Sequence, residues 1–500
     1  STNAVATTFN ATTIAKCNQC HDPLAPHGGN YRDIKTCVMC HNPNNMAGTI
    51  VVTPGEPAEQ RSQYDGQIFY HQLHMGKNKE TVPGITYPQD IRNCETCHDK
   101  TAASGASWYT FPSIAACGSC HDDVNFTTGA NHVAGPQADG TCASCHTPQG
   151  NVEWDAGIRN AHVVPLHSAQ LKGFQASIVS VTNVGPGKNI TVAFKLQNGD
   201  GSAVDPGFFK VTANGSLNIL LGGNTDDYGA TAAAPAQPFR ENAATAAFDA
   251  STGIATYNFT HAIPATAKGT WTASIETRRA VALNPSPTKG PATVNEGAPN
   301  HAFNIAVTGT LTPRRTVVSL DKCNVCHERL DILFSHGNQR ITIEHCVICH
   351  NPNSDDSPVR PATASQPPES ISFARLIHRI HTGDQLVQDF TVYVFGGNPE
   401  SFNDVTFPGD RRNCLKCHTT AATYTLPLPL TNAPVITQRD FFSPRGSATS
   451  ACTGCHDSRD VAAHAFLNTA FFPGSTAPAE ACGTCHGAGA EFAVDKVHAR

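Results

Sequence analysis

From Ile68 the chain reads IFYHQLHMG (68–76), carrying His71 and His74, and a little further on YPQDIRNCETCH (87–98), carrying Cys94, Cys97 and His98. The arrangement returns as LIHRIHTG (376–383), with His378 and His381, followed by FPGDRRNCLKCH (407–418), with Cys414, Cys417 and His418. Cys-x-x-Cys-His is an attachment signal for c-type haem, because two thiols three residues apart can both reach the vinyl groups on one haem edge. The adjacent histidine then becomes the first axial ligand to iron. Histidines at i and i+3 are neighbours on one helix face and can present imidazoles from outside any attachment motif. One repeat unit therefore holds both kinds of ligand that a haem iron needs.

Working outward, attachment motifs begin at Cys17, Cys37, Cys94, Cys117, Cys142, Cys323, Cys346, Cys414, Cys452 and Cys482. Their second thiols are Cys20, Cys40, Cys97, Cys120, Cys145, Cys326, Cys349, Cys417, Cys455 and Cys485. The proximal histidines are His21, His41, His98, His121, His146, His327, His350, His418, His456 and His486. These ten motifs use all 20 cysteines of the chain, so no thiol remains for a disulfide. At these frequencies chance gives roughly 0.04 such motifs in a chain of this length. Zinc ribbons pair Cys-x-x-Cys units without a fixed following histidine, which sets them apart from this pattern. The expected cofactor complement is ten covalently bound haem c groups.

Composition fits an interior filled by porphyrin: only 39% of residues are hydrophobic, below the roughly 45–50% usual for globular domains when glycine is counted with them. The formal charge is -6, and ferric haems with ionised propionates carry it to roughly -16. Nucleic acid is therefore excluded as an expected partner. No apolar run approaches a transmembrane span, and no signal peptide stands in the numbered sequence. Covalent haem attachment takes place outside the bacterial cytoplasm, so the expectation is a removed export signal and a periplasmic, surface or secreted location.

The polar stretch 1–10 leads into a segment dense in Pro, Gly and Asn with short helical patches. Residues 1–168 thus read as a pentahaem domain of loops and short helices wrapped on porphyrins. From 169 to 311 no attachment motif occurs. Instead ASIVSVTNV (176–184), NITVAFKLQNGDG (189–201), FFKVTANG (208–215), GIATYNFTHAI (253–263) and GTWTASIETRRAV (269–281) alternate apolar and polar residues between turn formers, with NGDG as a hairpin turn. That predicts an antiparallel β-sandwich or barrel. Residues 312–500 resume the haem pattern as a second pentahaem domain. The expected fold class is a multihaem cytochrome in which two pentahaem domains flank the β domain.

The two haem segments align motif by motif. CVMCHNPN (37–44) matches CVICHNPN (346–353), ACGSCHDD (116–123) matches ACTGCHDS (451–458), and CASCH (142–146) matches CGTCH (482–486). Aromatic-Pro-x-Asp-x-Arg-Asn precedes the third motif in both, at 87–93 and 407–413. Internal duplication is the simplest account. Of 24 histidines, fourteen lie outside the motifs, and the alignment pairs ten of them: His27 with His336, His71 with His378, His74 with His381, His132 with His464, and His162 with His498. These ten are the candidate distal ligands, one per haem. His167, His261, His301 and His345 are left over and read as surface or satisfied core residues. Only three methionines exist, Met39, Met46 and Met75, with Met39 inside a motif. Bis-histidine ligation at comparatively low potential is expected.

On these features the chain resembles the outer-membrane decahaem cytochromes of metal-reducing bacteria, the OmcA/MtrC type. The features that carry the resemblance are the order pentahaem, β, pentahaem, the paired His-x-x-His and the Pro-x-Asp-x-Arg-Asn lead. The resemblance spans nearly the whole sequence. It implies a conduit that takes electrons from a porin-cytochrome outer-membrane complex or another multihaem cytochrome. The electrons pass to ferric or manganese minerals, metal chelates, flavins or electrodes. It also implies haems in a staggered cross and a location on the outer-membrane surface or outside the cell. Two features depart from the family pattern. Members usually begin with an N-terminal β domain that precedes any segment seen here, and some carry a β-domain Cys pair that this sequence does not contain.

Weaker signals stay open. Arg92 and Arg412 could fork onto propionates or be solvated or bonded to backbone. Phe69, Tyr70, Tyr87 and Phe373 could relay electrons or simply pack. The β segment could bind flavin or a partner, or only space the haem modules. Besides electron transfer, two other classes are weighed: a multihaem oxyanion reductase, which needs an open iron position, and a self-associating filament subunit.

Overall fold

The computed structural model describes residues 10–45, 50–51, 61–76, 85–229, 237–284, 293–330, 336–429, 432–475 and 477–499. Most of the lead-in and Met46 lie outside the described residues. The chain divides into two compact units, one of Ser1–Ser168 with Ala282–Ala292 and Pro408–Asp410, the other of Ala169–Val281, Thr293–Phe407 and Arg411–Arg500.

The first unit is built of short helices, Ile14–Cys20, Ile34–Cys40, Gly66–His74, Ile114–Gly118 and Ile158–Ala161, and of 3-10 turns at Cys94–Thr96 and Cys142–Ser144. Local chemistry starts several of them. Asp33, Asp65 and Ser113 accept the backbone N–H of Lys35, Gln67 and Ala116 respectively, which satisfies donors that a helix start leaves orphaned. Few apolar side chains are buried here, among them Ile68, Ile114, Phe126, Trp154 and Val164.

The second unit contains a two-sheet sandwich. One sheet orders its antiparallel strands Phe174–Thr182, Thr191–Asn198, Ile254–Asn258, Ala247–Asp249. The other runs Thr293–Gly297, Thr270–Ala282, Gly215–Gly223, Phe239–Asn242, with His301–Ala306 also on the long strand. Alternate residues point into one shared core, including Val192, Phe194 and Leu196 from the first sheet and Leu217, Ile219, Leu221, Trp271, Ala273 and Ile275 from the second. That is the period-two pattern of a half-buried strand.

The strand Gly215–Gly223 is buried along almost its whole length. Its core face meets the opposing sheet, and its other face is covered by the helix Ile343–Cys349, close enough that a Cβ added at Gly222 would lie 2.6 Å from Ile348. FFKVTANG departs from its strand expectation. Residues Pro206–Lys210 and Thr212–Asn214 form 3-10 turns, because Pro206 sets a helical φ and Asp205 accepts from Gly207 N at 2.7 Å. NGDG does turn the chain, but the return makes a single bridge, Gln197 with Ala203.

The rest of this unit repeats the short-helix style, with Leu320–His327, Ile343–Cys349, Phe373–Thr382, Ser447–Cys452, Arg459–Leu467 and Val494–Val497. A buried ion network braces Phe373–Thr382. Arg375 pairs with Glu369 at 2.9 Å and Asp440 at 3.1 Å, and Arg379 reaches Asp457 at 3.6 Å.

Candidate functional site: ten facing histidine pairs

Each motif histidine faces one histidine from outside the motifs. In the first unit the pairs are His21–His74 (6.3 Å between ring centres), His27–His41 (6.3 Å), His71–His98 (6.2 Å), His121–His162 (6.2 Å) and His132–His146 (6.3 Å). In the second unit they are His327–His381 (6.0 Å), His336–His350 (6.2 Å), His378–His418 (6.2 Å), His456–His498 (6.1 Å) and His464–His486 (6.2 Å). The two sets correspond position by position.

The uniform spacing has a simple chemical measure. A metal–imidazole bond of about 2 Å on each side, plus about 1.1 Å from nitrogen to ring centre, gives roughly 6.2 Å. Interplanar angles range from 13° to 88°, so ordinary ring packing, whose spacing changes with tilt, does not account for a constant distance. Among the described residues no cluster of three or more His, Cys, Asp or Glu side chains is placed to hold a metal ion. Two axial nitrogens with the remaining positions left to a macrocycle is the donor set of a haem iron. The residues present fit that group.

Second-layer hydrogen bonds prepare the rings. Nδ1 of His74 and of His381 donates to the carbonyl four residues earlier, Tyr70 O and Ile377 O, both at 2.8 Å. His162 and His498 do the same toward Ile158 O (2.7 Å) and Val494 O (3.0 Å). Motif histidines follow suit: His41 to Tyr64 O and His350 to Ile371 O, both 2.9 Å, and His146 to Ala156 O and His486 to Phe492 O, both 3.0 Å. A carbonyl can only accept, so the proton is on Nδ1 and the Nε2 lone pair is left for metal. The third-motif pairs differ. His71 donates to Gln67 O at 2.7 Å, whereas His378 Nδ1 and His98 Nδ1 are buried without a hydrogen-bond partner.

All twenty cysteines are free of disulfides. As free thiols those of Cys94 and Cys452 are pushed up to about 12, chiefly by burial. A redox dithiol instead needs a stabilised thiolate, and burial works against one at these two cysteines.

Three of the four remaining histidines have partners of their own. His261 meets Glu241 at 2.6 Å, His301 Nδ1 accepts from Ile178 N at 3.1 Å, and His345 is buried between Ser274 (2.8 Å) and Glu276 (3.1 Å). Arg92 folds back onto Asp90, with Nε at 2.9 Å from one carboxylate oxygen. Phe69 stacks on His41 with ring centres 4.9 Å apart, and Tyr87 meets His74 edge-on at 5.9 Å. The partner of each distal histidine was not legible beforehand. Sequence spacing cannot say that His74 faces His21 while His71, one helical turn earlier, faces His98.

Paired attachment motifs and facing imidazoles define a multihaem c-type cytochrome. The family model for outer membrane cytochrome MtrC/MtrF-like domains II and IV matches residues 10–162 and again 315–499, and the chain belongs to that family. Its members are electron-transfer proteins of the outer membrane. Among solved structures the fold is similar to MtrC from Shewanella baltica OS185 (TM-score 0.63, 19% identity, covering 97% of this chain and 76% of that one). It is similar also to the outer membrane decaheme cytochrome OmcA (TM-score 0.63, 18% identity, covering 99% and 75%). No curated protein matches the chain. Among the described residues no helix is long and apolar enough to cross a membrane.

Proposed function

We propose that the chain carries ten haem c groups in two five-haem modules, 1–168 and 312–500, on either side of the β segment 169–311. In this reading it conducts respiratory electrons to acceptors outside the cell. Ferric or manganese minerals, metal chelates, flavins and electrodes are the acceptors that suit it. The donor would be a porin-cytochrome complex or another multihaem cytochrome, and the place of action the outer-membrane surface or the extracellular space. Haem c bound at these sites supplies reversible one-electron ferric–ferrous chemistry.

The observation that carries the reading is the set of ten histidine pairs at 6.0–6.3 Å. Each motif cysteine pair would anchor one haem, and each facing pair of imidazoles, with at least one ring held in one tautomer by a carbonyl in every pair but His378–His418, would supply both protein ligands to its iron. Closed positions leave no iron site for a coordinating substrate, which separates a conduit from an oxyanion reductase. Paired imidazoles without methionine set comparatively low potentials, as donation to low-energy terminal acceptors requires.

Denaturing mass spectrometry of the intact holoprotein tests the proposal, with ten covalent haems expected. A dominant species with nine or fewer overturns it.

A further inference from the structure

The second-motif sites of the two halves are duplicates in ligand spacing but not in surroundings. In the first half the segment after His27 is tied, among the described residues, to itself. Asn30 Nδ2 donates to His27 O at 3.2 Å and Arg32 Nε to Gly29 O at 3.0 Å. The charged side chains near His27, Arg32, Asp33 and Lys35, stand at the surface, where their fields are screened.

In the second half the matching segment after His336 hangs on the outer face of the five-stranded sheet. Arg278 Nη1 donates to Gly337 O at 2.7 Å, Asn300 Nδ2 to Gln339 O at 2.8 Å, and Ile341 N to Asn300 Oδ1 at 2.7 Å. Arg329 reaches Asn338 O at 3.2 Å, and Ser216 binds the Gln339 side chain. Glu276, fully buried on the long strand, takes Arg340 and Arg240 at 2.7 Å each and His345 at 3.1 Å. His345 immediately precedes Cys346, and Arg340 lies in the loop between His336 and Cys346. The corresponding first-half residues are Thr36 and Tyr31, so the cluster has no counterpart in the first copy. Four arginines thus stand around this loop and the sheet face that holds it, against Glu276, fully buried, Glu328, half-buried beside Arg329, and Glu344, exposed.

We propose that the outer face of this sheet positions His336 and forms the electrostatic wall of the His336–His350 site, which therefore takes an electron at a higher potential than its duplicate, His27–His41. This rests on the ten-haem reading above. Uptake of one electron, with no proton moved and no bond changed, lowers the charge of a site by one. A net positive, water-poor surround therefore favours the reduced form. Proximal ligand strength does not offset the difference, since His41 and His350 each donate Nδ1–H to a carbonyl at the same 2.9 Å.

The test is a potentiometric titration of the holoprotein followed by electron paramagnetic resonance. His27→Ala and His336→Ala should each delete one low-spin component, and the one deleted by His336→Ala should have the higher midpoint. Arg340→Gln should lower that midpoint and Arg340→Lys should keep it, with the His27 component unmoved in both. Equal or reversed midpoints in the unmodified arginine background overturn the proposal, whether or not the Arg340 variants fold. So does an Arg340→Gln protein whose midpoint stays put. If neither histidine change deletes a low-spin component, the bis-histidine reading itself fails, a result distinct from a wrong order of midpoints.

Discussion

His498 stands only two residues from the end of the numbered chain, yet its ring faces His456 at 6.1 Å and its Nδ1 is tied to Val494 O. His498→Ala is expected to turn one site, that of Cys452 and Cys455, into a five-coordinate high-spin centre that binds carbon monoxide. His301→Ala, whose ring serves a strand N–H, should leave the spectrum low-spin; carbon monoxide difference spectra compare the two. A second residue governs acid stability. Burial works to raise the carboxyl of Glu241, but N–H donors of Thr260 and His261, the His261 ring and the Tyr257 hydroxyl together pull it down to about 2. An unfolded-state carboxyl titrates near 4.5, so the stabilisation is complete above that value and is lost as pH falls from about 4.5 toward 2. Glu241→Gln should cost on the order of 1–3 kcal/mol at neutral pH and flatten the acid limb of β-domain unfolding. Circular dichroism against pH measures it, and an unchanged acid midpoint would refute the role.

Among elements, the two His-x-x-His helices show one design executed with different chemistry. Gly66–His74 buries Ile68, while at the matching position Phe373–Thr382 buries Arg375 inside its ion network. Ile68→Ala is expected to cost about 2–5 kcal/mol as a cavity. Arg375→Ala should cost about 1.5–3 kcal/mol, because Glu369 and Asp440 lose their shared donor and fall back on Arg439 (3.3 Å) and Arg445 (3.1 Å). Denaturant unfolding of the holoprotein gives both values. The arginine change should also raise high-spin content at the sites of His378 and His381, and a loss under about 1 kcal/mol would show that the network does not hold this helix. The helix itself was legible, since its histidine spacing repeats. Its buried arginines were not, because charged residues stand at surfaces by default. GSLNILLGG went unread for the opposite reason. A strand covered on both faces loses the alternation by which strands are recognised.

For the whole molecule, a conduit without a substrate pocket should be reoxidised by chemically unrelated acceptors. Stopped-flow mixing of the reduced protein with iron chelates and with flavins should give rates that rise with concentration without pocket-like saturation. Strong saturation with one acceptor and inertness toward the others would favour an enzyme. Particle images of the purified protein distinguish a monomer or a complex with a partner cytochrome from a polymer, the arrangement expected of a filament subunit.

Covalent chemistry explains what was readable from the residue string. Haem attachment demands a fixed local pentapeptide, so its count and the duplicated halves are written in short-range spacing. Strand alternation marked the β segment in the same local way. Which imidazole faces which, and the seating of the His336 loop on the sheet, depend on side chains far apart in the chain. His345 and Ser274 are 71 residues apart, and Arg340 and Glu276 are 64 apart. Local pattern carries no record of such meetings. Packing brings them about, and with them the proposed electrostatic inequality of two sites whose motifs, CVMCHNPN and CVICHNPN, differ at one residue.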